Sequence, residues 1–335
     1  MGPESVMMKI KTLMILLYLS LYPAVDAIAD TVDIREWLVP WQASEPGHAF
    51  VDAGGRVWFV GQSGSYIGNF SPESAEFNRY DLRKGTVPTS IAVDSNRNVW
   101  FTSNKRRLIG SLNPSTGRVQ EFSMPDNKAK DPMSIVLDQA DNIWFTVENG
   151  NFLGRLQTAT GQIDLIPIQT KKVRPHGIAL DSNGDPWAAA SGKNLLLHVN
   201  RADLSVTEIR TPNENSRFRR IAITSDNQVW YADFELGNIG RYNPQLGDFR
   251  EWPLPGGPNS RPHGISVDKN DRLWIIETGS DPNRLIGFDT ANETFLTQSD
   301  IPSGAGSIND MHYFEAAGEI WFGTLSNYIG RAKVH

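Results

Sequence analysis

Five ionisable side chains fall at two fixed offsets from a tryptophan. Arg219, His263 and Asp310 stand 11 residues before Trp230, Trp274 and Trp321, while Asp233 and Glu277 stand three residues after Trp230 and Trp274. The same offsets at the four earlier tryptophans give Gly47 with Gly61, Thr89 with Ser103, Met133 with Val147, and His176 with Ala190. Arg174, Arg217 and Arg261 each lie two residues before one of these positions. A neutral half facing a half made of histidine, carboxylates and guanidiniums describes an asymmetric pocket for a small molecule. The guanidiniums suit an anionic group on that molecule. Ion pairing of Arg219 with Asp233, and a hydrogen bond between His263 and Glu277, are the plain structural alternative. His312 follows Asp310 by two residues; strand alternation puts it on the same side, deeper in.

Such offsets have meaning only if the tryptophans are equivalent, and the repeat around them makes them so. Trp58, Trp100, Trp144, Trp187, Trp230, Trp274 and Trp321 are spaced by 42, 44, 43, 43, 44 and 47 residues. Each follows an apolar strand, usually ending in Asp, and a polar turn, and two more short strands come after it. His263-Gly-Ile-Ser-Val-Asp268, Leu273-Trp-Ile-Ile-Glu277, Leu285-Ile-Gly-Phe-Asp289 and Thr294-Phe-Leu-Thr-Gln298 are one example. This period and four antiparallel strands per repeat define an all-β, seven-bladed β-propeller. The tryptophan is read as packing between blades. Equivalent residues of each blade then ring one central channel, and blades four to seven carry the charged side of its mouth.

The ends predict how the ring closes. Val119-Gln-Glu-Phe122 and Phe249-Arg-Glu-Trp252 are fourth strands, and Val32-Asp-Ile-Arg-Glu-Trp37 matches them, whereas the C-terminus stops after a third strand, Tyr328–Val334. The N-terminal strand should complete the last blade and leave no open edge. Before it, Lys9 and Lys11 precede an apolar run, Leu13–Leu21, and Ala24, Ala27 and Ala29 offer small residues for cleavage. Residues 1–29 therefore read as a signal peptide and 30–335 as the propeller. A secreted or periplasmic monomer is expected, with no membrane span after cleavage. Net charge is −6 without a basic patch, so no nucleic-acid partner is expected. The absence of cysteine excludes thiol catalysis, iron–sulfur clusters and cysteine-based zinc sites.

Pro262-His-Gly-Ile265 followed by Leu273-Trp-Ile-Ile-Glu277, and Asn98-Val-Trp-Phe-Thr102 followed by Leu108-Ile-Gly110, resemble the virginiamycin B lyase (streptogramin lyase) family across all seven repeats. The resemblance implies magnesium-assisted elimination that linearises cyclic streptogramin B antibiotics, with a histidine base, and so antibiotic resistance. A histidine of unperturbed pKa near 6.5 suits the base; carboxylates and water suit magnesium. It puts the family's sixth-blade histidine on His263 and its Trp-Phe-Thr-Glu ending on Glu277. In the seventh blade the family's Glu-Pro-His-Gly-Ile corresponds to Ile308-Asn-Asp-Met-His312. Asp310 stands at the histidine, and His312 is the nearby substitute. The implied catalytic group is His263, Asp310 and His312, with magnesium on Glu277 and Asp310. His176, Arg219, Arg261 and Asp233 would bind substrate, Arg219 as an oxyanion or carboxylate clamp. Two other functions fit the residues: a secreted non-catalytic propeller binding an anionic small molecule or protein partner, and a lactonase-type metal hydrolase.

Overall fold

The computed structural model describes residues 32–304 and 306–334. They form 28 strands in seven four-stranded antiparallel sheets, a seven-bladed propeller as expected. The signal peptide read at 1–29 lies outside the described residues. Among these, no helix is long and apolar enough to cross a membrane.

Each repeat residue has a physical role. In five blades the indole N–H donates to the Asp six residues earlier, as in Trp58 to Asp52 at 2.8 Å and Trp274 to Asp268 at 3.0 Å. The same aspartates cap the turn behind them through backbone N–H groups. The rings pack across blade boundaries: Trp58 lies in one cluster with Ile91 and Val99 of the next blade. The Ile-Gly pair of the third strand makes room for an aromatic on the second. A Cβ added to Gly110 would meet the ring of Phe101 at 2.1 Å. The fifth blade departs from the pattern, with Thr224 in the Asp position and an indole of Trp230 that has no partner.

The ring closes at its ends. Strand β1 (Asp33–Leu38) pairs antiparallel with β28 (Tyr328–Lys333), and the last sheet runs β1, β28, β27 (Glu319–Gly323), β26 (Met311–Phe314). Trp37 of β1 stacks on Trp321 with centroids 5.6 Å apart.

The innermost hairpins differ from the simple ladder that the offsets imply. Between β22 (Pro262–Val267) and β23 (Leu273–Glu277), Pro262 pairs with Glu277, and the next registered pair is Ile265 with Ile275. Two residues, His263 and Gly264, thus stand against Ile276 alone, which is a β-bulge. The first six blades share this shift. The bulge turns His263 toward the channel and takes it out of register with Glu277. In the fifth blade Phe218, not Arg219, faces Asp233. Neither cross-strand pair expected from the sequence forms.

Candidate functional site

The bulged residues line the upper channel mouth, a cavity of about 360 Å³. Gly47, Thr89 and Met133 give its neutral side, and His176, Arg219 and His263 its charged side. The first residue after the second strand adds Gln62, Asn104, Glu148 and Ser191. His176, Arg219, His263 and Arg174 are therefore brought together. Arg261 joins them over Phe234: the guanidiniums of Arg219 and Arg261 lie 4.9 Å and 5.7 Å from that ring.

His263 is fixed at both nitrogens. Nδ1 is 3.1 Å from the Asn309 carbonyl, which can only accept, so Nδ1 carries the proton. Nε2 then holds a lone pair and accepts from Arg219 Nη1 at 3.2 Å. Burial, and then the charges of Arg220 and Arg219, push the imidazole down to about 3. It is neutral at any physiological pH. His176 lies edge-on to it, with ring centroids 6.4 Å apart. Burial first, then Arg220, holds His176 well below its ordinary value. Its Nδ1 is buried without a partner.

Arg220 forms the floor of the mouth. It leaves the innermost strand of the fifth blade, β18 (Phe218–Ile223), and crosses the channel. Nε donates to the Asn309 carbonyl at 3.0 Å, Nη1 donates to Ser134 Oγ, and Nη2 lies 3.2 Å from Asp310 Oδ2. His48 Nδ1 approaches the same carboxylate oxygen at 3.3 Å. Small neighbours permit the crossing: a Cβ on Gly177 would meet the Arg219 carbonyl at 2.6 Å and Arg220 Cα at 2.9 Å. Burial disfavours the charged form of Asp310, but Arg220 and His48 hold its carboxyl below the usual range. Below the floor a second cavity of about 490 Å³ is lined mainly by aliphatic strand ends.

Several expected site residues lie elsewhere. Asp310 and His312 border the lower cavity, not the mouth, and His312 packs on Phe50 with centroids 4.2 Å apart. The last repeat is longer, because a 3-10 turn at Glu315–Ala317 separates β26 from β27, so Asn309 takes the mouth position. Asp233 is fully buried, and its Oδ1 accepts from the backbone N–H of Arg217, Glu235 and Leu236. Glu277 is also fully buried, binding Gly256 N at 2.9 Å and Arg284 Nη2 at 2.7 Å. Glu277 and Asp310 thus do not fit a shared magnesium ion. Each is neutralised by its own guanidinium, and binding would require breaking both pairs. Asp181, Asp185 and His198 bring three ligand atoms within 4.8 Å of one another. Asp181 there already binds Trp187 Nε1 and two backbone N–H groups, and Asp185 accepts from Arg201 N.

The buried histidines make a pH prediction. Their folded pKa values lie below the unfolded 6.5, so the unfolded chain binds more protons in acid, and stability present above pH 6.5 falls as pH drops. His263 alone removes about 2 kcal/mol by pH 4.5, and His312, lowered by burial to about 4, adds to this. Thermal melts at pH 7 and 4.5 should differ by several degrees; equal midpoints would show that these rings are solvated.

The solved structures that share this fold have several functions and include streptogramin lyases. Virginiamycin B lyase from Staphylococcus aureus matches with a TM-score of 0.82 and 24% identity, over 91% of this chain and 100% of that one. A streptogramin B lyase structure matches with a TM-score of 0.82 and 23% identity, over 91% and 98%. A catalytically inactive histidine-to-alanine variant of the Staphylococcus aureus enzyme with quinupristin matches with a TM-score of 0.80 and 23% identity, over 90% and 100%. No curated protein matches the sequence significantly. The family model for virginiamycin B lyases matches residues 22–285, and the chain belongs to that family.

Proposed function

We propose that the mouth is a proton-abstracting site that opens a cyclic or ester-containing small molecule by elimination. One observation carries the reading: a neutral imidazole, held by Asn309, whose lone-pair nitrogen meets a guanidinium at 3.2 Å. In the resting state Arg219 caps the base. A substrate carbonyl draws the guanidinium away and frees Nε2 of His263. That nitrogen removes the proton α to the carbonyl, and Arg219 holds the charge that develops on the carbonyl oxygen. The C–O bond at the β carbon then breaks. Its electron pair leaves with a carboxylate, and His263, whose imidazole is pushed down to about 3, passes the proton on to that carboxylate or to solvent and is again neutral. The names of the similar solved structures support this class of reaction. Because Glu277 and Asp310 are each bound by arginine, no step is routed through magnesium; the guanidiniums supply the positive charge. Export directed by residues 1–29 belongs to the same proposal and places the enzyme outside the cytoplasm.

Mass spectrometry of streptogramin B after incubation with the purified protein tests the reading. Elimination opens the ring without a change of mass, whereas hydrolysis adds one water. A ring-opened isomer is expected. An added water would identify a hydrolase, and an intact ring would count against elimination on this substrate.

A further inference from the structure

Besides Arg220 in the floor, four arginines lie at or near the mouth, and two of these are already committed. Arg174 pairs with Glu148, and Arg217 donates to the carbonyls of Glu214 and Ser216. Arg219 and Arg261 have no carboxylate partner among the described residues. Both guanidiniums lie over one ring, Phe234, and Arg219 also contacts His263. The backbone beneath Arg261 is fixed: its carbonyl accepts from Thr278 Oγ1 at 2.7 Å, and its φ of 45° is held in the left-handed region just before Pro262.

We infer that Arg219 and Arg261, which both approach Phe234 beside His263, form a binding site for a carboxylate. Both are guanidiniums with no carboxylate partner among the described residues, and a guanidinium fork suits the oxygens of a planar anion. Assigning this carboxylate to the group expelled from an ester rests on the elimination reading; the binding itself does not. The exposed Glu235 and the paired Glu148 are the acids nearest Arg219, and neither closes the site.

Calorimetric titration with benzoate tests the inference, with benzamide as the neutral isostere. Benzoate should bind saturably and more weakly in salt, and benzamide should not bind. Arg261→Gln and Arg219→Gln should each weaken benzoate at least tenfold. Equal binding of benzamide, or of benzoate by both arginine variants, would overturn the site. Inorganic phosphate binding more tightly than benzoate through the same arginines would overturn its carboxylate preference. Elimination of streptogramin B with arginine-independent benzoate binding would reject this site alone. Arginine-dependent binding without any elimination would reject the catalytic reading and leave the site standing.

Discussion

Deleting residues 32–38 lowers the melting temperature of the protein by roughly 10–15 °C. The deletion removes β1, which pairs with β28 from Asp33–Lys333 through Leu38–Tyr328. Ladder hydrogen bonds are worth about 1 kcal/mol each, and large aromatics packed in a core about 3–5 kcal/mol. Trp37 is such a residue, lying 5.6 Å from Trp321 and 5.1 Å from Phe70 between centroids. Glu36 also receives the N–H and hydroxyl of Ser303. Without these contacts the last blade has three strands and an open edge, and the two termini no longer hold each other. Trp37→Ala alone should give a smaller drop. A differential scan showing an unchanged midpoint for the deletion would mean that the ring closes by other contacts.

Replacing Arg220 with glutamine should destabilise the fold by about 3–5 kcal/mol, the usual consequence of removing one partner from a buried ion pair. Asp310 would keep His48 at 3.3 Å and the Met311 backbone N–H at 3.0 Å but no full charge, Ser134 would lose its donor, and the Asn309 carbonyl would keep only His263. The paired carboxylate stabilises the fold above about pH 3.8 and ceases to do so as pH falls below it, because its folded value lies beneath that figure. Adding Asp310→Asn to Arg220→Gln removes the orphaned charge, so the double variant should regain more than half of the loss. Urea unfolding of the protein and the two variants measures this directly. A double variant no better than Arg220→Gln would show that the hydrogen bonds to Asn309 and Ser134, not the charge pair, dominate.

The blades were legible because the repeat is dense: a tryptophan marks every sheet, its aspartate and an Ile-Gly pair mark most of them, and each has a steric or hydrogen-bonding cause. Ring closure was legible from Arg-Glu-Trp37, whose match to Phe249-Arg-Glu-Trp252 is a match of edge-strand sequences. The mouth was legible only to within one residue. Period-two alternation cannot reveal a bulge, so His263 was paired with Glu277 when Pro262 occupies that register. The seventh blade slipped because its inner turn is longer. Arg220 was passed over although a signal existed. Four of its equivalents, Ser90, Ser134, Gly177 and Gly264, are small, and an arginine facing small residues can reach across a channel to the two that are not, His48 and Asp310. Phe234 lies just past its strand, at the repeat position of Gln62, Asn104, Glu148 and Ser191, one residue beyond the offsets that carry the ionisable groups.

The central claim is that His263, with guanidiniums in place of a metal, performs the chemistry at the mouth. The most direct measurement is the rate of ring-opened isomer formation by four samples: the protein, the protein with EDTA, His263→Ala and His312→Ala. The account predicts a loss of about a hundredfold or more for His263→Ala, and near-normal rates with EDTA and for His312→Ala. Abolition by EDTA, or loss in His312→Ala with His263→Ala still active, would contradict it.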